Sequence, residues 1–404
     1  MTPSPDPAPV RPDVDVEWLT QVLVDLARIP SPTGRTDQVM QYVGDLLVDE
    51  LGLEVALTRR GAMVATLGGV QDSPDRAVIV HSDTIGAMVR EVLPSGRLAL
   101  VPVGTHSARF AEGSRVTIFT DEPGVVHTGT ILPTMASGHA FGDAIDTQGV
   151  GWDHVEVRVD AHVRSPEDTA ALGIRIGDHV AMQALPEVTP TGFVKSRHLD
   201  DKAGIAAVLA GLRGLLRAEV ELPVTAHLLV TISEEVGHGA SHGLHTDVAE
   251  MVSVDAAVVA PGQASTETGV TIAMQDLHGP FDYHLTRKLL RLGEAHGLEV
   301  HRDVFRYYRS DVAAALEAGA ETRAALIGFG VDATHGFERT HLDSLRQTAE
   351  LVALYLQTDL TFEAWDQRRS GQLADFPSRS VQPADKGPVL DEDGASPSPS
   401  PADG

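Results

Sequence analysis

Arg197-His198-Leu199-Asp200-Asp201-Lys202-Ala203-Gly204 decides how this chain reads. Two adjacent carboxylates stand immediately ahead of a long apolar-periodic segment. Aspartate is a poor residue inside a helix and a good one at its start, where its oxygens accept from the first free amides. Asp200 and Asp201 are therefore expected at a loop-to-helix junction. Beyond them Ile205, Val208, Leu209, Leu212, Leu215 and Leu216 recur at three- and four-residue spacing, as one buried helix face would. Taken alone, the pair reads equally well as a helix cap. Its meaning comes from what flanks it.

Upstream lies Ala77-Val78-Ile79-Val80-His81-Ser82-Asp83. Four apolar, mostly β-branched residues in a row predict a strand buried on both faces, as in a parallel sheet. Polar residues just past the carboxyl end of such a strand are where α/β folds place their sites. Downstream, the apolar run 226–232 leads directly into Ser233-Glu234-Glu235-Val236-Gly237. Further strands are expected over 254–260, 270–273 and 324–329, the last followed by a loop holding His335, Glu338 and His341. Helical periodicity predicts helices over 16–27, after Thr36, over 283–296, over 310–318 and over 345–360.

From about Met88 to Ser196 the pattern changes to short alternating runs punctuated by Gly and Pro, with one short helix over 166–172. Structureless loops of that length are uncommon. An inserted all-β domain is expected instead. The fold class is then α/β, a mixed, mostly parallel sheet flanked by helices, with a small all-β insert. The expected division is a disordered 1–14, a first catalytic part 15–88, the insert 89–193, a second catalytic part 194–368 and a disordered acidic Pro/Ser tail 369–404.

The whole chain has 404 residues, 42% of them hydrophobic, enough for more than one domain. It carries 31 Lys and Arg against 57 Asp and Glu, a formal net charge of −26. That charge argues against nucleic acid or an anionic membrane as partner. With no cysteine, no disulfide, zinc-thiolate cluster or thiol nucleophile is available, so any metal must be held by His and carboxylates. The Pro- and Asp-rich amino terminus has no apolar run, and no segment is long and apolar enough to span a membrane. A cytoplasmic protein is the expectation.

Four polar clusters share one grammar, an apolar strand and then His or carboxylate: His81/Asp83, Asp200/Asp201, Glu234/Glu235 and His335/Glu338. If the strands are parallel neighbours, these groups converge at one sheet edge. Histidine and carboxylate without thiolate suit zinc, cobalt or manganese. Two such ions clamp a water and a scissile carbonyl in known hydrolase chemistry.

His-Ser-Asp, Leu-Asp-Asp-Lys-Ala-Gly and Glu-Glu-Val-Gly-His-Gly-Ala, in this order around an inserted β domain, resemble the M42 family of metalloaminopeptidases (glutamyl aminopeptidase/endoglucanase-type). The insert, through Val155–Asp160 and Leu172–Asp178, resembles that family's too, and the similarity covers roughly residues 16–360. The resemblance implies two divalent ions per chain, zinc or cobalt first and manganese next. It implies that His81 ligates one ion with Asp83 orienting its ring, that Asp200 bridges both, and that Glu235 ligates. It implies that Glu234 is the general base, taking a proton from the activated water. It implies that His335 is the last ligand, with His341 as the alternative. His238, His242 and His245 read as surface or pocket-lining histidines.

One position departs from the family pattern. A ligating Asp is normal at the end of the strand 254–260, where this chain has Pro261, and Asp255 reads as lying at the wrong, amino-terminal end. Glu267 is therefore the expected replacement ligand. The segments Ala260-Pro261-Gly262-Gln263, Tyr308–Asp311 and His335–His341 further resemble the M42 subgroup associated with synthesis of the osmoprotectant N-acetylglutaminylglutamine amide.

The leading function is a two-metal aminopeptidase or amide hydrolase of short peptides or peptide amides. An M20-like deacylase or dipeptidase is the second reading, disfavoured because the long insertion here precedes Asp-Asp. A metal-poor assembly protein is the third. The resemblance also implies a homo-oligomer, from dimer to dodecamer.

Overall fold

The computed structural model describes residues 9–361. The first eight residues of the expected disordered 1–14, the end of the expected second catalytic part over 362–368 and the expected tail 369–404 lie outside the described residues. Residues 9–14 are packed: Val10 pairs with the Gln357 side chain, Arg11 bridges to Glu350 at 2.7 Å and Val14 is buried.

Those residues belong to one compact unit built on a 12-stranded mixed sheet. Its centre is parallel. The strand Leu222–Thr231 lies beside Gly69–His81, which lies beside Val248–Val259, which lies beside Arg323–Asp332. The strand Met63–Leu67 adds antiparallel to Leu222–Thr231, and Glu338–His341 and Phe193–Ser196 extend the other side. The central strands are buried along most of their length and rich in Ala, Val, Ile and Leu over their carboxyl halves, as a sheet covered on both faces requires.

Helices supply the cover. Leu199–Arg217 is buried along most of its length and packs with Val16–Arg28, Leu342–Leu356 and the sheet in one large apolar core. Its regular turns start only after Asp200 and Asp201, whose backbone is non-helical, so the pair does sit at the junction read from sequence. The peptide bond between them is cis.

The insert is a closed six-stranded antiparallel barrel with its own apolar core. Its strands run from Gly86–Val92 to His179–Met182, and Pro166–Ala171 forms a short helix within it. The expected span of 89–193 is trimmed at its carboxyl end. Glu187–Val188 and Phe193–Ser196 leave the barrel and join the large sheet. Among the described residues no helix is long and apolar enough to cross a membrane.

Candidate active site

Parallel register brings the polar clusters together. Thr231 pairs with His81, so the strand ahead of Glu234 and Glu235 ends level with the strand ahead of Asp83. Across the other side Ser253 pairs with Ile79, and two residues further along each strand Asp255 comes level with His81. The helix beginning at Leu199 delivers Asp200 to the same edge. These are the carboxyl ends of the parallel strands, the place where an α/β sheet presents a site.

His81 is buried, and its Nδ1–H donates to the carbonyl oxygen of Asp83 at 3.0 Å. That bond turns Nε2 toward Asp200 Oδ1 at 3.1 Å and Asp255 Oδ1 at 3.9 Å. The carboxylate of Asp83 was expected to orient this ring. It stands 3.8 Å from Nδ1 and instead accepts from the Glu234 amide at 3.1 Å and the Thr33 hydroxyl at 2.6 Å. Asp83 thus orients the ring through its backbone and the Glu234 turn through its side chain.

The other oxygen of Asp200 faces a second imidazole. His335 Nε2 lies 3.4 Å from Asp200 Oδ2 and 3.4 Å from Glu235 Oε2. Glu235 is fixed by its other oxygen, which accepts from the Ile85 amide at 3.0 Å. The His335 ring donates from Nδ1 to Thr105 of the barrel at 2.8 Å. His335 holds φ at +62°, a left-handed backbone that costs a non-glycine residue about 1–3 kcal/mol. Its amide is held there by Glu338 Oε1 at 2.9 Å. The other oxygen of Glu338 accepts from Leu199 at 2.6 Å and Asp200 at 3.2 Å. One buried carboxylate therefore sets the backbone of both Asp200 and His335, a role that the spacing did not reveal.

Two expectations are corrected here. Glu267 is not brought to the cluster. Its carboxylate makes a bidentate pair with Arg339, at 2.7 and 2.8 Å. Asp255 takes the place beside His81, because its strand starts at Val248 and not near 254. Glu250 and Ser253 had broken the apolar run, yet both are buried inside the strand, Glu250 accepting from Tyr355 at 2.9 Å. His341 is likewise elsewhere. It accepts from the Asp343 amide as a helix cap and its Nε2 meets Thr191 O at 2.9 Å. The expected loop 335–341 in fact ends in the strand Glu338–His341.

The electrostatics are those of a site short of positive charge. Burial pushes Glu235 up to about 8 and Asp255 up to about 6, with Asp200 adding to both and His335 and His81 opposing. Burial also raises Glu234 and Asp201 well above the usual carboxylate range, His81 opposing and Asp255 reinforcing. Only Asp200 is held low: burial opposes, but its bonds to His335 and His81 win. Burial pulls His335 down, and Glu235 and Asp200 outweigh it, leaving it up at about 10.

Two glycines are fitted to this crowding. A Cβ at position 204 would lie 2.0 Å from Asp201 Oδ1, and one at 239 would lie 1.7 Å from Asp311 Oδ1. Asp201 Oδ2 accepts from the His81 amide at 3.2 Å, while Oδ1 is buried without a partner. Asp311, also missed from sequence, accepts from Thr231 and Ala240 and braces the two ends of the Glu234–Glu235 turn.

Buried carboxylates in such excess demand cations. His81, Asp200 and Asp255 offer ligand atoms all within 4.8 Å of one another, and His335 with Glu235 meets the second oxygen of Asp200. Imidazole nitrogens and carboxylate oxygens, with one open side, are a donor set for zinc, cobalt or manganese. The residues present fit divalent metal.

Comparison with known proteins agrees with this chemistry. The family model for the M42 glutamyl aminopeptidases matches residues 61–351. The protein YhfE of Bacillus subtilis (strain 168) is 38% identical over 340 residues, 84% of this chain and 97% of the relative. The glutamyl aminopeptidase of Lactococcus lactis subsp. cremoris (strain MG1363) is 27% identical over 218 residues, 52% of this chain and 58% of the relative. Among solved structures, aminopeptidase APDkam598 from Desulfurococcus kamchatkensis shares the fold with a TM-score of 0.77 at 20% identity, covering 89% of this chain and 99% of that one. The TET1 peptidase of Pyrococcus horikoshii, which can assemble into a tetrahedron or a large octahedral shell, has a TM-score of 0.71 at 21% identity over 84% of this chain and 99% of that one. The chain belongs to the M42 glutamyl aminopeptidase family, whose members are metal-dependent, and is a hydrolase that acts as an aminopeptidase.

Proposed function

We propose that this aminopeptidase works with two divalent ions per chain, zinc or cobalt, held on the two sides of Asp200. The observation that carries this is the orientation of Asp200 itself. Its Oδ1 faces His81 and its Oδ2 faces His335, so one carboxylate addresses two separate imidazoles. His81 and Asp255 would complete one position, His335 and Glu235 the other. Ions bound there would polarise a scissile carbonyl and make a water nucleophilic at neutral pH.

The chain's own groups do the rest. Glu234, displaced upward by burial, takes a proton from the attacking water and returns it to the leaving amine, a shuttle that a raised carboxyl suits. Asp83 holds Glu234 in place through its amide, and Glu338 holds Asp200 and His335. Short peptides or peptide amides with a free amino terminus are the substrates this reading favours. A link to the osmoprotectant dipeptide amide rests on the sequence resemblance alone. Assembly into a homo-oligomer is favoured by the tetrahedral relatives and by exposed apolar side chains on the barrel, Phe110, Phe141 and Ile176 among them. Sizing that gives a particle of 42.9 kDa, a single chain, would refute assembly.

The test is hydrolysis of a panel, free-amino peptides, their N-acetyl counterparts and glutamine-containing dipeptide amides, with and without chelator. Chelator-sensitive release from free-amino members only is the expected result. Preference for N-acylated members would move the chain to a deacylase reading.

A further inference from the structure

The strand that carries His81 at its carboxyl end carries a second ligand cluster at its midpoint. Asp75 lies six residues earlier, about 20 Å away at the rise of an extended strand. Asp75 Oδ2 is 2.8 Å from His227 Nε2 and 2.8 Å from His245 Nε2, and the two imidazole nitrogens stand 3.3 Å apart. All three ligand atoms lie within 4.8 Å of one another. None of these residues belongs to the catalytic edge, and neither the aminopeptidase reaction nor the family's motifs use them.

We propose that Asp75, His227 and His245 form a second, structural zinc site. Three observations point the same way. Asp75 is only 2% exposed, and its Oδ1 is buried with no hydrogen-bond partner, so the carboxyl group is left half satisfied. His227 is backed by the Thr66 hydroxyl at 3.1 Å from Nδ1, the outer contact that fixes a ligating ring and leaves Nε2 free to bind. His245 is exposed at the surface, giving an ion an entry path and a fourth position open to water. The rings meet edge to face, with centroids 5.2 Å apart.

The metal-free arrangement is a hydrogen-bonded form of the same site. His245 Nδ1 accepts from the Asp247 amide at 3.2 Å, which leaves its proton on Nε2, facing Asp75. Zinc at Nε2 would require the other tautomer of the neutral ring: Nε2 loses its proton to solvent, Nδ1 gains one, and the amide bond from Asp247 is given up. In exchange the ion joins the sheet to the segment that runs from the Glu234–Glu235 turn to the strand beginning at Val248. The site is thus a clip on the loop that supplies the catalytic glutamates. It neither touches substrate nor changes the chemistry.

Anomalous diffraction at the zinc edge, from crystals of the full-length chain loaded with zinc chloride alone, locates it without any variant. The expected peak lies about 2.0–2.2 Å from both Nε2 atoms and an Asp75 oxygen. In solution, His245→Ala should bind one zinc equivalent fewer than wild type by elemental analysis and keep its peptidase rate. Equal zinc content in the two chains, or no peak among the three residues while the catalytic edge is filled, would overturn the proposal. So would a peak seen only at soaking concentrations, which would mark an adventitious ion. Failure of the two-ion reading is distinguishable, since it would alter the peaks beside Asp200 and leave this one.

Discussion

The carboxyl end and the middle of the strand Gly69–His81 hold ligand clusters of opposite character. At the carboxyl end, two imidazoles stand among Asp200, Asp201, Glu234, Glu235, Asp255 and Asp311, most of the set buried and His335 partly exposed. At the middle, two imidazoles, one of them exposed at the surface, face the single buried carboxylate of Asp75. The first set cannot be neutralised from within. Like-charged carboxylates about 4 Å apart repel by about 4 kcal/mol at the effective dielectric of a protein surface, so cations are part of its stable form. The second set satisfies one oxygen of Asp75 through its two imidazoles and leaves the other without a partner, so a single ion would complete it. A sheet edge rich in carboxylates is built to activate something, and a cluster rich in imidazole is built to hold something.

That contrast can be broken most severely at Asp200. Asp200→Ala removes the group shared by both imidazoles and should abolish hydrolysis and metal binding at the catalytic edge, read by activity and elemental analysis. If that chain kept full activity, the bridging role would be wrong. Glu234→Gln sharpens the division of labour. It should lower kcat by about 10²–10⁴-fold with KM and metal content little changed. A variant that loses metal instead would make Glu234 a ligand.

Glu338→Gln tests the support beneath the cluster. It should lower metal affinity or activity by about 10–100-fold while the chain stays folded, as loss of an outer hydrogen-bonding partner does. A smaller effect belongs to His106, in the loop between barrel strands 98–103 and 115–119. Burial and the nearby His335 push it down to about 4, against an ordinary value of 6.5. The folded chain then binds fewer protons than the unfolded chain between these values. Its stability is fully present above about 6.5 and is lost as pH falls toward 4. His106→Phe should flatten the acid limb of a plot of Tm against pH, and an unchanged slope would remove His106 from the account. Smallest of all, Glu267→Ala should leave metal content intact and cost at most about 1 kcal/mol, the worth of a partly exposed ion pair with Arg339.

Much of this was legible from residue order. Apolar runs ending in His81, Asp83, Glu234 and Glu235 announce strands whose carboxyl ends carry chemistry, and the carboxylates of Asp200 and Asp201 announce a helix start. Alternation with Gly and Pro announced an all-β insert, though not its closure into a barrel. The failures share one cause, polar residues buried inside strands. Glu250 and Ser253 hid the first half of Val248–Val259, which made Asp255 look like a strand beginning and sent the search for a ligand to Glu267. Glu338 looked like part of a loop because its work is on the backbone of residues more than a hundred positions away. Asp75, His227 and His245 come from three separate segments, and only the folded register brings them into contact.

The central claim is that Asp200 separates two ions, with Asp255 serving the one beside His81. The direct measurement is metal content in the His245→Ala background, where among the described residues the catalytic edge is the one ligand cluster left intact, with and without Asp255→Ala. The account predicts two equivalents per chain in the first and one in the second, with hydrolysis lost alongside. A single equivalent in the first, or no difference on removing Asp255, would contradict it.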